Sequence, residues 1–153
     1  MDSFRSLTRK LRKARALSAQ EWWIFFQAWV LLLAVDWGLR LLSVRRLQRV
    51  IVGGQHRPAR DPAGSAATIE KVQKLVEIAA RNHLYPMQCL RRSLVLQRLL
   101  ARRGIVTDLR FGVQRDAGIL HAHAWLEHAG QPIGEHGDAA SQFVPLASVQ
   151  VDR

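Results

Sequence analysis

The chain holds one cysteine, Cys89, in the run Tyr85-Pro86-Met87-Gln88-Cys89-Leu90. A proline shortly before it, leucines at 90, 94, 96, 99 and 100, and Gly104 just past Arg103 describe a helix with Cys89 in its first turn. A thiol at a helix N-terminus faces unpaired N–H groups and the positive end of the helix dipole, which favour the nucleophilic thiolate. The plain alternative is a small buried side chain. A nucleophile needs a base, and Leu120-His121-Ala122-His123-Ala124-Trp125-Leu126-Glu127 offers two imidazoles. On a strand His121, His123, Trp125 and Glu127 share one face, while Leu120, Ala122, Ala124 and Leu126 share the other, which reads as the core face. A third group would orient the imidazole. Glu135 lies twelve residues beyond His123, across a turn near Ala129–Gln131 that brings it roughly opposite His123. Glu127 and Asp138 are rivals, and a solvated loop carboxylate is the plain reading of Glu135. Such a set performs covalent acyl transfer through an acyl-enzyme. The histidines could instead hold a metal with His128 and His136, but no typical ligand set completes itself, so neither metal nor cofactor is expected.

The elements that must position these groups follow from the pattern. Thr68 begins a helix that runs to about Asn82, with Ile69, Val72, Val76 and Ala79 on one face. After the cysteine helix the period changes from helical to alternating. Ile105–Val113 and Ile119–Glu127 read as strands joined by a turn at Gln114–Gly118. A second turn, His128-Ala129-Gly130-Gln131, leads to a short strand at Pro132–Glu135, and the tail Phe143–Val151 can add another.

Length and charge bound the rest. A chain of 153 residues, 48% hydrophobic and 23% charged, is one domain's worth with enough apolar material for one core. One cysteine excludes an intrachain disulfide framework and a multi-cysteine metal site, and no glycine-rich phosphate loop is present. Residues 1–60 hold 12 basic and 3 acidic side chains, a net +9, whereas 61–153 hold 11 and 9, a net +2. The high pI thus belongs to the N-terminal segment, and the remainder shows no charge signature of nucleic-acid binding.

That segment divides into a basic stretch (Arg5, Arg9, Lys10, Arg12, Lys13, Arg15), an apolar stretch from Trp22 to Leu39 with four of the five tryptophans, and a second cluster at Arg45, Arg46 and Arg49. Gln27 and Asp36 interrupt the apolar stretch nine residues apart, on opposite helical faces. It can pack in a core or on a partner, lie on a membrane surface, or span a bilayer. A signal peptide fits poorly, because the apolar region starts late and lacks a small-residue cleavage site. Trp22–Leu42 is expected to form one or two helices that pack partly on the rest and leave an apolar face. The organisation expected is a helical N-terminal segment (1–52), a linker rich in Gly and Pro (53–67) and a catalytic domain (68–153).

The order helix with Cys, strand with His, strand with an acid resembles the papain-like and transglutaminase-like fold. More narrowly, the blocks Cys89-Leu90-Arg91-Arg92-Ser93-Leu94-Val95-Leu96 and Phe111-Gly112-Val113 with Ala122-His123-Ala124-Trp125-Leu126-Glu127 and Pro132-Ile133-Gly134-Glu135 look like the leader peptidases of lasso-peptide biosynthesis, a transglutaminase-like family. The resemblance covers about residues 70–147. It implies an α+β fold in which a Cys-bearing helix packs on a small antiparallel sheet, with Cys89 as nucleophile, His123 as base and His121 as a neighbour. It places the family's acid, often Asp, at Glu135, one methylene longer. It implies a cysteine peptidase that removes the leader from a ribosomally made precursor, in the bacterial cytoplasm or at the inner face of the membrane. The implied partners are the precursor, a separate small leader-recognition protein, since the stretch before Trp22 is too short for a fused one, and the ATP-using lactam synthetase. A transglutaminase-like acyltransferase and a non-catalytic membrane or complex adaptor are the alternatives.

Overall fold

The computed structural model describes residues 18–53, 62–116, 119–133 and 143–146. Among these described residues four helices are followed by a four-stranded sheet: α1 (Ala19–Leu41), α2 (Val44–Val52), α3 (Pro62–Arg81), α4 (Cys89–Ala101), β1 (Asp108–Asp116), β2 (Ile119–His128), β3 (Gln131–Ile133) and β4 (Val144–Leu146). The strand order is β3-β2-β1-β4, all antiparallel. This is the α+β arrangement expected, with the cysteine helix laid on a small sheet.

Local chemistry explains where the elements begin and end. Helix α1 starts at a reciprocal cap: Glu21 N–H donates to Ser18 Oγ at 3.2 Å, and Ser18 N–H donates to Glu21 Oε2 at 2.8 Å. These backbone and hydroxyl donors also hold the Glu21 carboxyl below its ordinary range. Helix α3 starts at Pro62, six residues before the expected Thr68, so the far end of the expected linker is helical. Proline costs nothing at a first helical position, and Ala66 and Ala67 carry the helix through. Ser65, read from sequence as part of a linker, is buried. Just past the end of α4, Gly104 has a φ of 77° that lets Ile105 N–H turn back to Leu100 O at 3.0 Å.

That cap also corrects the first strand. Ile105 N–H is spent on the helix end, and Thr107 O accepts from Gln97 Nε2 at 2.9 Å. The ladder therefore starts at Asp108, opposite Glu127, rather than at Ile105. It continues to Asp116, opposite Ile119, so residues 114–116 of the expected turn belong to the strand. The turn into β3 falls at Ala129 and Gly130, both with positive φ (50° and 76°), as a two-residue hairpin turn requires. The strand in the tail pairs with β1 at the opposite edge from β3.

One core runs through the described residues. Ile24, Ala28, Leu32 and Val35 of α1 and Leu47 of α2 join Val72 and Val76 of α3, Leu94 and Leu99 of α4, and Leu109, Ala124 and Leu126 of the sheet. The N-terminal helices thus belong to the same hydrophobic core as the cysteine helix. A buried polar thread crosses it: Gln48 Nε2 donates to Gln97 Oε1 at 3.1 Å, and Gln97 donates onward to Thr107 O. Gln48 Oε1 and the Thr107 hydroxyl, buried beside this thread, have no hydrogen-bond partner among the described residues.

Candidate active site

Cys89 is the first residue of α4, half-buried and a free thiol. The helix's first hydrogen bond runs from Arg92 N–H to Gln88 O at 3.3 Å, so the N–H groups of Cys89, Leu90 and Arg91 have no acceptor within the helix. An oxyanion forming beside Cys89 would meet these donors. Gln88 precedes it as the cap residue, and its Oε1 accepts from Arg91 Nη1 at 3.0 Å. Because arginine only donates, the amide NH2 of Gln88 is the end that can reach a substrate carbonyl.

His123 lies on β2, and one cavity is lined by Cys89, Arg92 and Ser93 of α4, Glu77 of α3, and His123 and Trp125 of β2. The helix and the strand are tied at this point: Ser93 Oγ donates to Ala124 O at 3.1 Å, one residue from His123. The aliphatic face of β2 meets the core only in its second half: Ala124 and Leu126 are buried there, whereas Leu120 and Ala122, expected on the same face, are exposed because that half of the strand extends past the helices. On the other face the His123 ring stacks on Trp125 (centroids 6.1 Å apart, planes at 17°) and lies 5.1 Å from the Phe143 ring. Trp125 is buried although it faces away from the core. Room for it comes from Gly112, which pairs with His123 on β1: a Cβ there would lie 2.7 Å from Phe143 Cβ and 2.9 Å from the Trp125 ring.

The remaining expected residues divide. His121 is exposed on the outer half of β2. Glu127 shares the face of His123 but stands four residues further along, about 13 Å at a strand's rise. It is engaged there by Arg110 Nε at 2.8 Å and by Trp125 Nε1 at 3.2 Å. That removes it from the imidazole and gives it the task of fixing the indole. His128 Nδ1 donates to Val106 O at 2.7 Å, an anchor of the strand end. Glu135, Asp138 and His136 lie outside the described residues.

The sequence did not disclose the group behind Cys89. Asp36, one of the two polar interruptions of the apolar stretch, is fully buried. Its Oδ2 accepts from Tyr85 Oη at 2.6 Å and from Arg40 Nη2 at 3.0 Å. Arg91 Nε lies 2.6 Å from Oδ1 as an ion pair, off the line of its N–H bond. The Tyr85 hydroxyl, more than the two guanidinium groups, holds the Asp36 carboxyl below its usual range against the opposing effect of burial. The same bond pushes the Tyr85 phenol up. One carboxylate of α1 thus fastens the loop before Cys89 and the first turn of α4. The only sequence signal was an acid in an apolar run, and two of its partners, Tyr85 and Arg91, lie 49 or more positions away.

A family description, the transglutaminase-like superfamily, matches residues 31–148 of this chain. The match begins inside α1, upstream of the expected 52/68 boundary, in keeping with the shared core. Neither a curated protein nor a solved structure matches the chain significantly.

Proposed function

We propose a specific task for this chain, which belongs to the transglutaminase-like superfamily, a group whose members are typically cysteine-dependent enzymes: it is a cysteine peptidase that removes the leader from a lasso-peptide precursor. The observation that supports the reading is one cavity whose lining includes both Cys89, at the start of α4, and His123, on β2. The motif blocks around both residues, similar to those of lasso leader peptidases, support the narrower substrate.

In this reading the Cys89 thiolate attacks the carbonyl at the leader–core junction. The unpaired N–H groups at the start of α4 stabilise the oxyanion, with the Gln88 amide as a further donor. His123 protonates the departing amine of the core, then takes a proton from water as it hydrolyses the acyl-enzyme and frees the leader acid. Stacking on Trp125 restrains the ring, and Glu135 is the acid proposed to orient it. A separate small recognition protein delivers the leader, and the ATP-using lactam synthetase takes the freed core amine. The setting is the bacterial cytoplasm or the inner face of its membrane, and this reaction calls for no cofactor.

The test is to incubate the chain with precursor and recognition protein and to weigh the products. Wild type gives free leader acid and core, and folded Cys89→Ala gives neither. Cleavage at the normal rate by folded Cys89→Ala ends the cysteine-peptidase reading. An amine-linked leader in place of the acid assigns the chain to acyl transfer instead.

A further inference from the structure

Apolar side chains occur on every side of helix α1, and the core covers only one side of it. At about 100° per residue, Trp22, Trp23, Phe26, Val30, Ala34, Trp37 and Leu41 fall in one sector roughly 120° wide, and all seven are exposed. Trp23 keeps 61%, Phe26 56%, Trp37 62% and Leu41 79% of their surface. The opposite sector (Ile24, Ala28, Leu32, Val35 and Asp36) is buried. The exposed stripe runs the length of the 23-residue helix, about 34 Å. A continuous aromatic and aliphatic face of that length marks a contact surface.

Charge points to what covers it. The stripe holds no acidic side chain. Arg40 sits at its edge, with its guanidinium 5.7 Å from the Trp37 ring, and Arg45, Arg46 and Arg49 follow on α2, all exposed. In sequence the run before Ser18 adds Arg5, Arg9, Lys10, Arg12, Lys13 and Arg15. Tryptophans on an apolar helix face, with cations at both ends, match the interface of an anionic bilayer, where indoles sit at headgroup depth and Lys and Arg meet phosphate. The helix is long and apolar enough to cross a membrane. Its other face, however, is locked to the core and to the Asp36 cluster, so crossing would strip a buried carboxylate of its partners.

We propose that α1 seats the protein flat on an anionic membrane surface through the Trp22–Leu41 stripe. This docking is independent of what the cysteine cleaves. The probe is the purified full chain with vesicles of phosphatidylglycerol and phosphatidylethanolamine, against vesicles of phosphatidylcholine alone, read by co-sedimentation and tryptophan emission. The expected result is pelleting with the anionic vesicles, a blue-shifted emission, and at least about tenfold weaker partition on neutral vesicles or at about 1 M salt. Trp23→Ser/Phe26→Ser/Trp37→Ser should retain the wild-type melting temperature, because all three side chains are exposed, and lose the anionic partition at least about tenfold. Arg45→Ser/Arg46→Ser/Arg49→Ser should lose the preference for anionic over neutral vesicles. A chain that stays in the supernatant with both vesicle types overturns the proposal, whether it is monomeric or self-associated through this face. So does a Trp23→Ser/Phe26→Ser/Trp37→Ser protein that pellets like wild type.

Discussion

Replacing Gly112 by alanine adds one methyl group at the place where the sheet and the imidazole are set together. The new Cβ would lie 2.7 Å from Phe143 Cβ and 2.9 Å from the Cζ3 and Cη2 atoms of Trp125. Ordinary carbon contacts begin near 3.5 Å, so the indole must retreat by about 0.6 Å and Phe143 by about 0.8 Å. Neither can yield cheaply. The indole is held by Glu127, and Phe143 meets the methyl with its Cβ, fixed to a backbone that enters β4 and pairs across Gly112. Overpacking of this kind costs about 1–3 kcal/mol. For a chain of this length that is a fall in Tm of roughly 2–12 °C, read by circular dichroism. The two displaced rings are the ones beside His123, and a shift near 1 Å in a catalytic group can cost on the order of 100-fold in turnover. Gly38→Ala is the matched control. Its Cβ would meet the Leu47 side chain at 2.7 Å, at the flexible end of that side chain, which can move aside, so turnover should hold. A Gly112→Ala protein that melts and cleaves like wild type would refute the reasoning, as would an equal loss of turnover in Gly38→Ala.

Further outcomes follow from the same contacts. Glu135→Gln should lower turnover more than Glu127→Gln, whose main effect should be a lower Tm through loss of the Arg110 and Trp125 contacts; the reverse ranking on precursor cleavage would return the orienting role to Glu127. The lowered Asp36 carboxyl contributes stability that is complete above its unfolded pKa of about 3.9 and is lost as pH falls through the lower folded value. Thermal melts of wild type should therefore drop steeply below about pH 4, while Asp36→Asn, less stable at neutral pH, should lose that part of the slope; parallel curves for the two proteins would sink the assignment. Tyr85→Phe removes the strongest donor to Asp36 and should shift the acid limb of the wild-type curve to higher pH, which the same melts would read.

Local signals in the sequence determined much of this protein. A proline before and a glycine after a leucine-spaced run place Cys89 at a helix start, because helix ends are set by groups within one turn of them. Alternation along 120–127 assigns His123 and the core to opposite faces of β2, because a strand's period is fixed at two. An Ala-Gly pair between strands marks the hairpin turn, because it requires positive φ. Tertiary structure decided what depends on partners distant in sequence. Strand β1 begins at Asp108, since Ile105 N–H and Thr107 O are taken by α4. Helix α3 reaches back to Pro62 through a segment whose glycine and serine read as linker until Ser65 found a buried place. Asp36 looked like an obstacle to an apolar helix, and only folding brings Tyr85 and Arg91 to it across some fifty residues. Gly112 was one letter of a motif until the register set it against His123 and the indole filled the space its side chain lacks. Which half of α1 is buried was likewise decided in three dimensions: apolar residues on every side of the helix give no periodicity to choose a face, so packing against α3 and α4 chose it, and left Trp22, Trp23 and Trp37 outside.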